Sequence, residues 1–227
     1  MSSIELFQNK TDCCGCSACY NVCPRKAISM QEDEYGYVYP VIDQDKCVGC
    51  GLCRKVCHYQ ADKELRTPIK AYAAAGKKEE FLKKAASGGM FSLVADKILE
   101  EGGVVFGVAM EYHNNTLIPK HIAVESKEEL FKLQGSKYVQ SFIGNTYAEA
   151  KKYLADGRKV LFSGTPCQIE GLKGYLGREY ENLYTIDIIC HGVPNAKWFQ
   201  DYIKVFETKL QGSIYSYNFR DKSRGQG

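Results

Sequence analysis

The sequence predicts an α+β protein with two domains, a small cysteine-rich domain at the N-terminus and a larger α/β domain after it. Nine of the 11 cysteines lie within the first 57 of the 227 residues. A polar segment without cysteine follows at 60–68, and beyond it apolar strands alternate with helices, as in a sheet covered by helices. We therefore expect one domain over residues 1–62 and a second over residues 68–227.

The composition is that of a folded protein without a strong electrostatic preference. Hydrophobic residues make up 44% of the chain and charged residues 25%, and the formal net charge is +3. A charge this close to balance argues against nucleic acid as a partner. Because there is neither a secretion signal nor an apolar run of about 18 residues, the sequence predicts a cytoplasmic protein with no membrane span.

The cysteines of the first domain have the spacing of metal ligands. In a reducing compartment dense cysteines bind metal or carry out redox chemistry, since disulfides do not persist there. The two runs are Cys13-x2-Cys16-x2-Cys19-x3-Cys23-Pro24 and Cys47-x2-Cys50-x2-Cys53-x3-Cys57. This is the bacterial ferredoxin pattern for [4Fe–4S] clusters, written twice.

In this pattern the last cysteine of each run binds the cluster of the other run. The ligands expected for the first [4Fe–4S] cluster are Cys13, Cys16, Cys19 and Cys57, and those for the second are Cys47, Cys50, Cys53 and Cys23. A pair of zinc sites is the alternative, because CxxC also suits tetrahedral zinc. Zinc sites would not explain why the closely spaced cysteines of each run continue beyond the second CxxC spacing.

Two residues depart from the ferredoxin pattern. Cys14 is an additional thiol, which we interpret as a bystander beside the cluster rather than as a ligand. His58 stands where the second run usually has proline, and we do not expect it to bind iron.

Beyond the boundary, periodicity and turn residues predict the elements of the second domain in order. They are a strand at 69–75, a helix at 88–101, strands at 104–110 and 121–124, a ribbon at 137–142, a helix at 146–155, a strand at 160–163, a helix at 166–176, a strand at 183–190, a helix at 195–210 and a strand at 214–219. The sequence stops soon after the last strand, so we expect a sheet that is incomplete at the C-terminus.

Two glycine-bearing junctions are candidate cofactor contacts. Ser87-Gly88-Gly89 opens a helix with Ser87 as the predicted N-cap, and its glycines would let a flavin or phosphate approach the backbone. An ordinary capped helix start explains this motif equally well. Gly135-Ser136-Lys137-Tyr138 could place Lys137 against an anionic or electron-rich cofactor, although the motif alone fits a solvated strand lysine better.

The junction from Ser163 to Gln168 is more specific. Thr165 is the predicted N-cap, Pro166 takes the first helical position, and Gln168 completes a capping box. Cys167 then lies in the first helical turn, where free amides and the helix dipole favour a thiolate. It is a candidate iron ligand or reactive thiol, and a small buried hydrophobe is the alternative.

Cys190 and His191 follow the next apolar strand. Consecutive strand ends at one edge of an α/β sheet are where ligands bind, so Cys167 and Cys190 could converge. His191 is a candidate proton donor near neutral pH, and a loop histidine without such a role is the alternative.

The motifs carry a family resemblance. After the double cysteine run come, in order, SGG, GVVFGV, GSKYVQS, VLFSGTPCQIEGL, NLYTIDIICHGVP and NFRDKSRG. The chain resembles the coenzyme F420 hydrogenase/dehydrogenase beta-subunit family over essentially its whole length. The resemblance implies a two-[4Fe–4S] ferredoxin-like domain joined to an α/β flavin-type domain, with FAD between the clusters and a hydride donor or acceptor.

The resemblance also implies roles for individual residues. Those expected to line the FAD are Ser87, Gly88, Gly89, Ser136, Lys137, Gly164, Thr165 and Pro166. The candidates for catalysis are Cys167, His191 and Lys137. Cys167 and Cys190 resemble ligands or neighbours of a third cluster, which in the family is usually completed by a further CxxC in a longer C-terminal part. Without that part, we expect a weaker hold on FAD.

Three functions follow from this reading. The first is an iron–sulfur flavoprotein oxidoreductase that passes electrons between its [4Fe–4S] clusters, served by ferredoxin or a partner subunit, and a small organic substrate or a deazaflavin. The second is a non-catalytic ferredoxin-type carrier that docks a partner enzyme. The third is a thiol-transfer enzyme with Cys167 as its nucleophile.

Overall fold

The computed structural model describes residues 4–60, 67–77, 79–85 and 87–220. The first of these ranges forms the cysteine-rich module. Its elements are a 3-10 turn at Lys10–Asp12, helix α1 (Ala18–Val22), strands β1 (Ile28–Glu32) and β2 (Val38–Ile42), and helix α2 (Leu52–Lys55). The two strands form an antiparallel hairpin in which Ile28 lies opposite Ile42.

The two cysteine loops of the module have the same backbone conformation. Gly15 and Gly49 have φ angles of 65° and 69°, and the residues that precede α1 and α2, Ser17 and Gly51, have φ angles of 64° and 70°. A left-handed residue at these two points turns each loop tightly around its thiols before the short helix begins. The conformational repeat matches the repeat of the cysteine spacing.

The larger domain is built on a four-stranded mixed sheet. Its strands are β3 (Val104–His113), β4 (Thr116–Val124), β5 (Val160–Gly164) and β6 (Leu183–Asp187), in the order β4-β3-β5-β6. β3 and β4 form an antiparallel hairpin, whereas β5 and β6 run parallel to β3. The described helices of this domain are α3 (Glu79–Lys84), α4 (Met90–Glu100), α5 (Thr146–Ala155), α6 (Pro166–Leu176) and α7 (Ala196–Leu210).

Both faces of the central strands are buried, so β3 and β5 read as continuous apolar runs. Phe106 and Phe162 point to the face covered by α5 and α6, and Val105 and Leu161 point to the face covered by α4. This arrangement confirms the predicted class, a cysteine-rich module followed by an α/β layer. Among the described residues, no helix is long and apolar enough to span a membrane.

The module packs directly against α6. Ala18 and Val56 of the module share one hydrophobic cluster with Ile169 and Leu172 of α6. Two glycines of α6 allow this approach, because a Cβ at Gly171 would lie 3.1 Å from the Cys16 Sγ and one at Gly174 would overlap the Val56 carbonyl oxygen. Side chains at these positions would push the module away from the sheet domain.

Several predicted elements are wrong. The segment 69–75 is not a strand: Ile69 is 97% exposed, and the segment has no partner strand among the described residues. At 137–142 a single bridge joins Phe142 to Lys120 in place of a ribbon. At 214–219 the aromatic residues pack on Phe199 without forming a strand.

Other elements differ in their bounds. β6 ends at Asp187 and does not continue to residue 190, and β4 begins at Thr116, five residues before the predicted start. The missed part of β4 is explained by Asn114 and Asn115, which both have positive φ and form a two-residue turn directly after β3.

Candidate functional site

The module contains two cavities, each lined by four cysteines of the two runs, and Cys14 also lines the first cavity. The first thiol site is lined by Cys13, Cys16, Cys19 and Cys57, together with Leu6, Ala18, Met30 and Pro40. The second thiol site is lined by Cys23, Cys47, Cys50 and Cys53, together with Ala27, Ile28, Ile42 and Leu52. Each site thus combines three cysteines of one run with the last cysteine of the other, and apolar residues form part of each wall.

The environment of the thiols suits a bound metal cluster. Burial raises the pKa of Cys13 to about 11, and burial also raises the pKa of Cys19 and of Cys53. Backbone amides face the sulfurs: Gly15 N–H donates to the Cys13 Sγ (3.5 Å) and Ala27 N–H donates to the Cys23 Sγ (3.3 Å). Where burial raises the pKa of a thiol, as at Cys13, Cys19 and Cys53, the positive charge of a bound metal would favour the thiolate. The residues present therefore fit a [4Fe–4S] cluster at each site.

Cys14 and His58 lie beside the first thiol site. The Cys14 Sγ is 3.9 Å from the His58 Nε2, and ligand atoms of Cys14, Cys16 and His58 all lie within 4.8 Å of one another. Hydrogen bonding to Cys16 and Cys167 raises the pKa of Cys14, while the same contacts lower the pKa of Cys16 and of Cys167. Cys14 thus forms a bridge of sulfur contacts from the module to α6.

A cavity of about 400 Å³ lies between the first thiol site and the carboxyl ends of β5 and β6. We call it the central cavity. The module contributes Cys13, Cys14, Gly15 and Val38 to its wall, and the sheet domain contributes Lys137, Gln140, Ser141, Ser163, Gly164, Thr165, Cys167, Gln168, Ile188 and Cys190. Its size is within the usual range for small-molecule and cofactor sites, about 300–1,000 Å³.

The structure brings together some of the residues expected at the flavin. Lys137, Gly164 and Thr165 line the central cavity, and Cys167 and Cys190 converge on it. Pro166 is absent from the described lining, although it begins α6 beside Thr165. The capping box of Thr165 and Gln168 is present, and Thr165 N–H donates to the Gln168 Oε1 at 3.0 Å.

Other expected residues lie elsewhere. His191 is exposed and is not among the described lining residues of the central cavity. Ser136 lines a wider groove beside Met110 and Tyr112. The N-cap of α4 is Gly89, with φ 77°, so the prediction of Ser87 as N-cap is wrong.

Gly88 has a packing role of its own. A Cβ there would lie 2.6 Å from the Ala74 carbonyl oxygen, and the Gly88 carbonyl accepts a hydrogen bond from Gly76 N–H at 2.7 Å. The glycine therefore accommodates the chain's own backbone. None of the three residues Ser87, Gly88 and Gly89 is among the described residues that line the central cavity.

Lys137 is not a solvated strand lysine. Its Nζ donates hydrogen bonds to the carbonyl oxygens of Gln134 (2.8 Å) and Lys132 (3.2 Å), and burial lowers its pKa to about 8. The amine is held by two backbone acceptors at the cavity wall, where its third hydrogen can meet a ligand.

A buried histidine organises the floor of the central cavity. His121 on β4 is fully buried and stacks on Phe162 with ring centroids 5.4 Å apart. Its Nε2 lies 3.1 Å from the Ser163 carbonyl oxygen, and its Nδ1 lies 3.0 Å from the Ser141 Oγ. A carbonyl can only accept, so Nε2 carries the proton and the Ser141 hydroxyl donates to Nδ1. Burial lowers the pKa of His121 to about 4, which keeps this ring neutral.

The hydrogen-bond chain continues to α6. The Gln168 Nε2 donates to the Ser141 Oγ at 3.0 Å, and the Gln168 Oε1 accepts from Thr165 N–H. His121, Ser141 and Gln168 therefore fix the orientation of the cavity floor. Sequence reasoning missed His121 and Ser141. The sequence feature that could have indicated His121 is its position as the single histidine within the largely apolar strand segment LIPKHIAV.

Sequence models of known families match most of the chain. The family model described as "4Fe-4S dicluster domain" matches residues 12–61. The model described as "Coenzyme F420 hydrogenase/dehydrogenase, beta subunit N-term" matches residues 71–145. The model of the C terminus of the same beta subunit matches residues 157–226. The last two together cover more than half of the chain.

Individual relatives agree with these matches. An uncharacterised protein of Methanocaldococcus jannaschii is 25% identical over 200 residues, which cover 75% of this chain and 54% of the relative. The coenzyme F420-dependent sulfite reductase of the same organism is 24% identical over 191 residues, which cover 80% of this chain and 28% of that protein. The chain thus spans about half the length of the first relative and about a quarter of the second.

A solved structure is also similar. A chain of the F420-reducing [NiFe] hydrogenase complex from Methanosarcina barkeri superposes with a TM-score of 0.48 at 21% sequence identity, over 71% of this chain and 62% of that chain. On the family matches, this chain carries a 4Fe-4S dicluster domain and belongs to the coenzyme F420 hydrogenase/dehydrogenase beta-subunit family of redox proteins.

Proposed function

We propose that this chain is an iron–sulfur flavoprotein module that passes electrons between two [4Fe–4S] clusters and an organic substrate bound at an FAD in the central cavity. The observation that carries the proposal is the shared loop Cys13-Cys14-Gly15. This loop lines both the first thiol site and the central cavity. A cofactor in the cavity would therefore meet the backbone that holds the first cluster.

The ligand sets proposed for the two clusters are those of the two thiol sites. Cys13, Cys16, Cys19 and Cys57 would hold the first cluster, and Cys23, Cys47, Cys50 and Cys53 the second. Cys14 and His58 would remain outside the ligand shell. Electrons would pass between the second cluster and the cavity by way of the first cluster, because only the first thiol site shares described lining residues with the cavity.

The residues of the central cavity suit a flavin. When bound, FAD exchanges hydride with a substrate and single electrons with the clusters. Apolar side chains such as Val108, Leu133 and Val139 offer a surface for a planar ring. Thr165 and Cys167 bring the N-terminus of α6 to the cavity, where free amides favour negative charge. The Lys137 amine would donate to an electron-rich atom of the ring.

The remaining candidates for catalysis differ in their position relative to the central cavity. Cys167 and Cys190 offer two thiols to the cavity, so a third cluster would need further ligands from outside the described residues. His191 lies outside the lining, and no proton transfer is proposed for it. The name of the F420-dependent sulfite reductase relative supports a deazaflavin as the substrate class.

The test is anaerobic reconstitution of the whole chain with iron, sulfide and FAD, followed by measurement of all three per chain. We expect iron for two clusters and one tightly bound flavin, with reduced F420 bleaching both chromophores. Bound iron without flavin would overturn the flavoprotein proposal and favour the electron-carrier alternative.

Lys137→Met sharpens this test, with Lys132→Met as the matched control. Lys132 is exposed and pairs with Glu129. We expect Lys137→Met to weaken FAD binding about tenfold, the scale of one charge-assisted hydrogen bond, and the control to leave the affinity unchanged. Equal affinities of all three proteins, measured by flavin fluorescence, would remove Lys137 from the site.

A further inference from the structure

The hydrogen-bond chain at the floor of the central cavity is fixed at both ends by backbone groups. At one end the His121 Nε2 lies 3.1 Å from the Ser163 carbonyl oxygen, which can only accept a hydrogen bond. At the other end the Gln168 Oε1 lies 3.0 Å from the Thr165 backbone nitrogen, whose N–H can only donate. These two ends determine the direction of every hydrogen bond between them.

The Ser141 hydroxyl is left with one arrangement of its hydrogen bonds. Burial lowers the pKa of His121 to about 4, so the ring is neutral near pH 7, and its proton is on Nε2. Its Nδ1 is therefore an acceptor, and the Ser141 hydroxyl donates to it at 3.0 Å. Because the Gln168 oxygen faces the Thr165 amide, its Nε2 faces Ser141 and donates to the hydroxyl oxygen at 3.0 Å.

A serine hydroxyl has one hydrogen and two lone pairs. At Ser141 the hydrogen and one lone pair are used, so any further partner of this oxygen must be a donor. Ser141 and Gln168 both line the central cavity. A ligand that covered this oxygen without donating to it would be penalised, because the oxygen would lose its hydrogen bond to water. The cavity floor therefore selects a ligand that presents an N–H or O–H group at this point.

We propose that the Ser141 hydroxyl accepts a hydrogen bond from the imide N3–H of the flavin, and that His121 is the positioning residue that makes this hydroxyl an acceptor. In the oxidised isoalloxazine ring, N3 is the only ring nitrogen that carries a hydrogen. The pyrimidine end of the ring would therefore lie on the floor of the central cavity. The inference rests on the proposed function, since it requires FAD in this cavity.

The test measures the affinity of the whole chain, reconstituted anaerobically with iron and sulfide, for FAD and for N3-methyl-FAD. The methylated flavin has no hydrogen at N3. By flavin fluorescence, we expect the wild type to bind FAD at least about tenfold more tightly than N3-methyl-FAD, the scale of one hydrogen bond. Equal wild-type affinities for the two flavins would overturn the inference without any variant.

Ser141→Ala removes the acceptor. We expect it to weaken FAD binding about tenfold and to leave the affinity for N3-methyl-FAD no weaker than in the wild type. Ser29→Ala is the matched control, because Ser29 is exposed on β1 and is not among the described residues that line the central cavity. This control should bind both flavins as the wild type does.

Resonance Raman spectra of bound FAD separate a hydrogen bond from an effect of space. The ring band that contains N3–H bending is identified by its shift in D2O, and its position reports the hydrogen bond at N3. We expect this band to move in Ser141→Ala and in His121→Phe, and to stay in place in Ser29→Ala. An unmoved band in both variants at the cavity floor would overturn the inference alone, whereas a wild-type chain that binds no FAD would overturn the proposed function.

Discussion

The two thiol sites have the same cysteine spacing and the same loop conformation, but they have different surroundings. The first is enclosed between the module and α6, with Cys14, His58 and Gly171 packed against its thiols. The second opens to solvent at Cys50, and Arg25 is part of its lining. Spacing therefore determines which thiols meet, and the packing of the second domain determines what lies next to each thiol site.

The largest expected effect comes from removing one ligand at each site. Cys50→Ala should reduce iron by half or more and destabilise the module, since metal binding supplies much of the folding free energy of such small domains. Cys16→Ala should do the same and also loosen the contact with α6. Iron and sulfide analysis under anaerobic conditions measures both variants, and unchanged iron in Cys50→Ala would falsify the ligand sets.

A smaller effect is expected at the first thiol site. Gly174→Ala places a Cβ against the Val56 carbonyl oxygen and should cost about 1–3 kcal/mol through overpacking between the module and α6. Because Val56 directly precedes Cys57 and packs in one cluster with Cys16, both of the first thiol site, we expect the cluster proposed there to become more sensitive to chelators than in the wild type. Glu170→Ala on the exposed face of α6 is the control. A chelation rate of the first cluster equal to that of the wild type would show that this packing does not protect the first site.

The next effect concerns the floor of the central cavity. His121 is held neutral by burial, so its folded pKa of about 4 lies below its unfolded value of about 6.5. Its contribution to stability is present above pH 6.5 and is lost as the pH falls toward 4. Between pH 7.5 and pH 5 the free energy of unfolding should fall by about 2 kcal/mol from this group.

Urea unfolding of the wild-type protein and of His121→Phe at both pH values isolates that contribution. The variant should be less stable than the wild type at pH 7.5, because the Ser163 carbonyl and the Ser141 hydroxyl lose their partner. It should lose less stability on acidification. An identical pH dependence in the two proteins would mean that folding does not lower the pKa of His121.

The smallest effect is expected from Cys14→Ala. This thiol touches Cys16 and Cys167 but is not in either proposed ligand set. Iron content should be unchanged, which would separate a bystander at the first thiol site from a ligand. A loss of iron similar to that of Cys16→Ala would assign Cys14 to the cluster.

The sequence predicted those features that depend on local chemistry. The cysteine spacing anticipated the grouping of four thiols around each cavity, and the Thr165–Gln168 capping box is present because adjacent residues form it. Apolar runs located β3 and β5, whose buried faces leave little ambiguity. Each of these features is determined by residues close together in the sequence, so it can be predicted without the rest of the fold.

Features that depend on distant contacts were not predictable in this way. Segment 69–75 has strand-forming residues but no neighbouring strand to pair with among the described residues, and 137–142 makes one bridge only. Lys137 looked solvated because the carbonyl oxygens that hold its amine come from a folded turn at 132–134. His121, Ser141 and Gln168 are far apart along the chain, so their hydrogen-bond chain exists only after the sheet has formed.

The loop from Cys13 to Gly15 separates two cavities, because it lines both the first thiol site and the central cavity. A molecule that enters the cavity must press on the same peptide units that surround one metal centre. With a cluster at each thiol site, we expect its arrival to alter the paramagnetic spectrum of the first reduced cluster more than that of the second. Such a difference would allow unknown substrates to be screened without observing turnover.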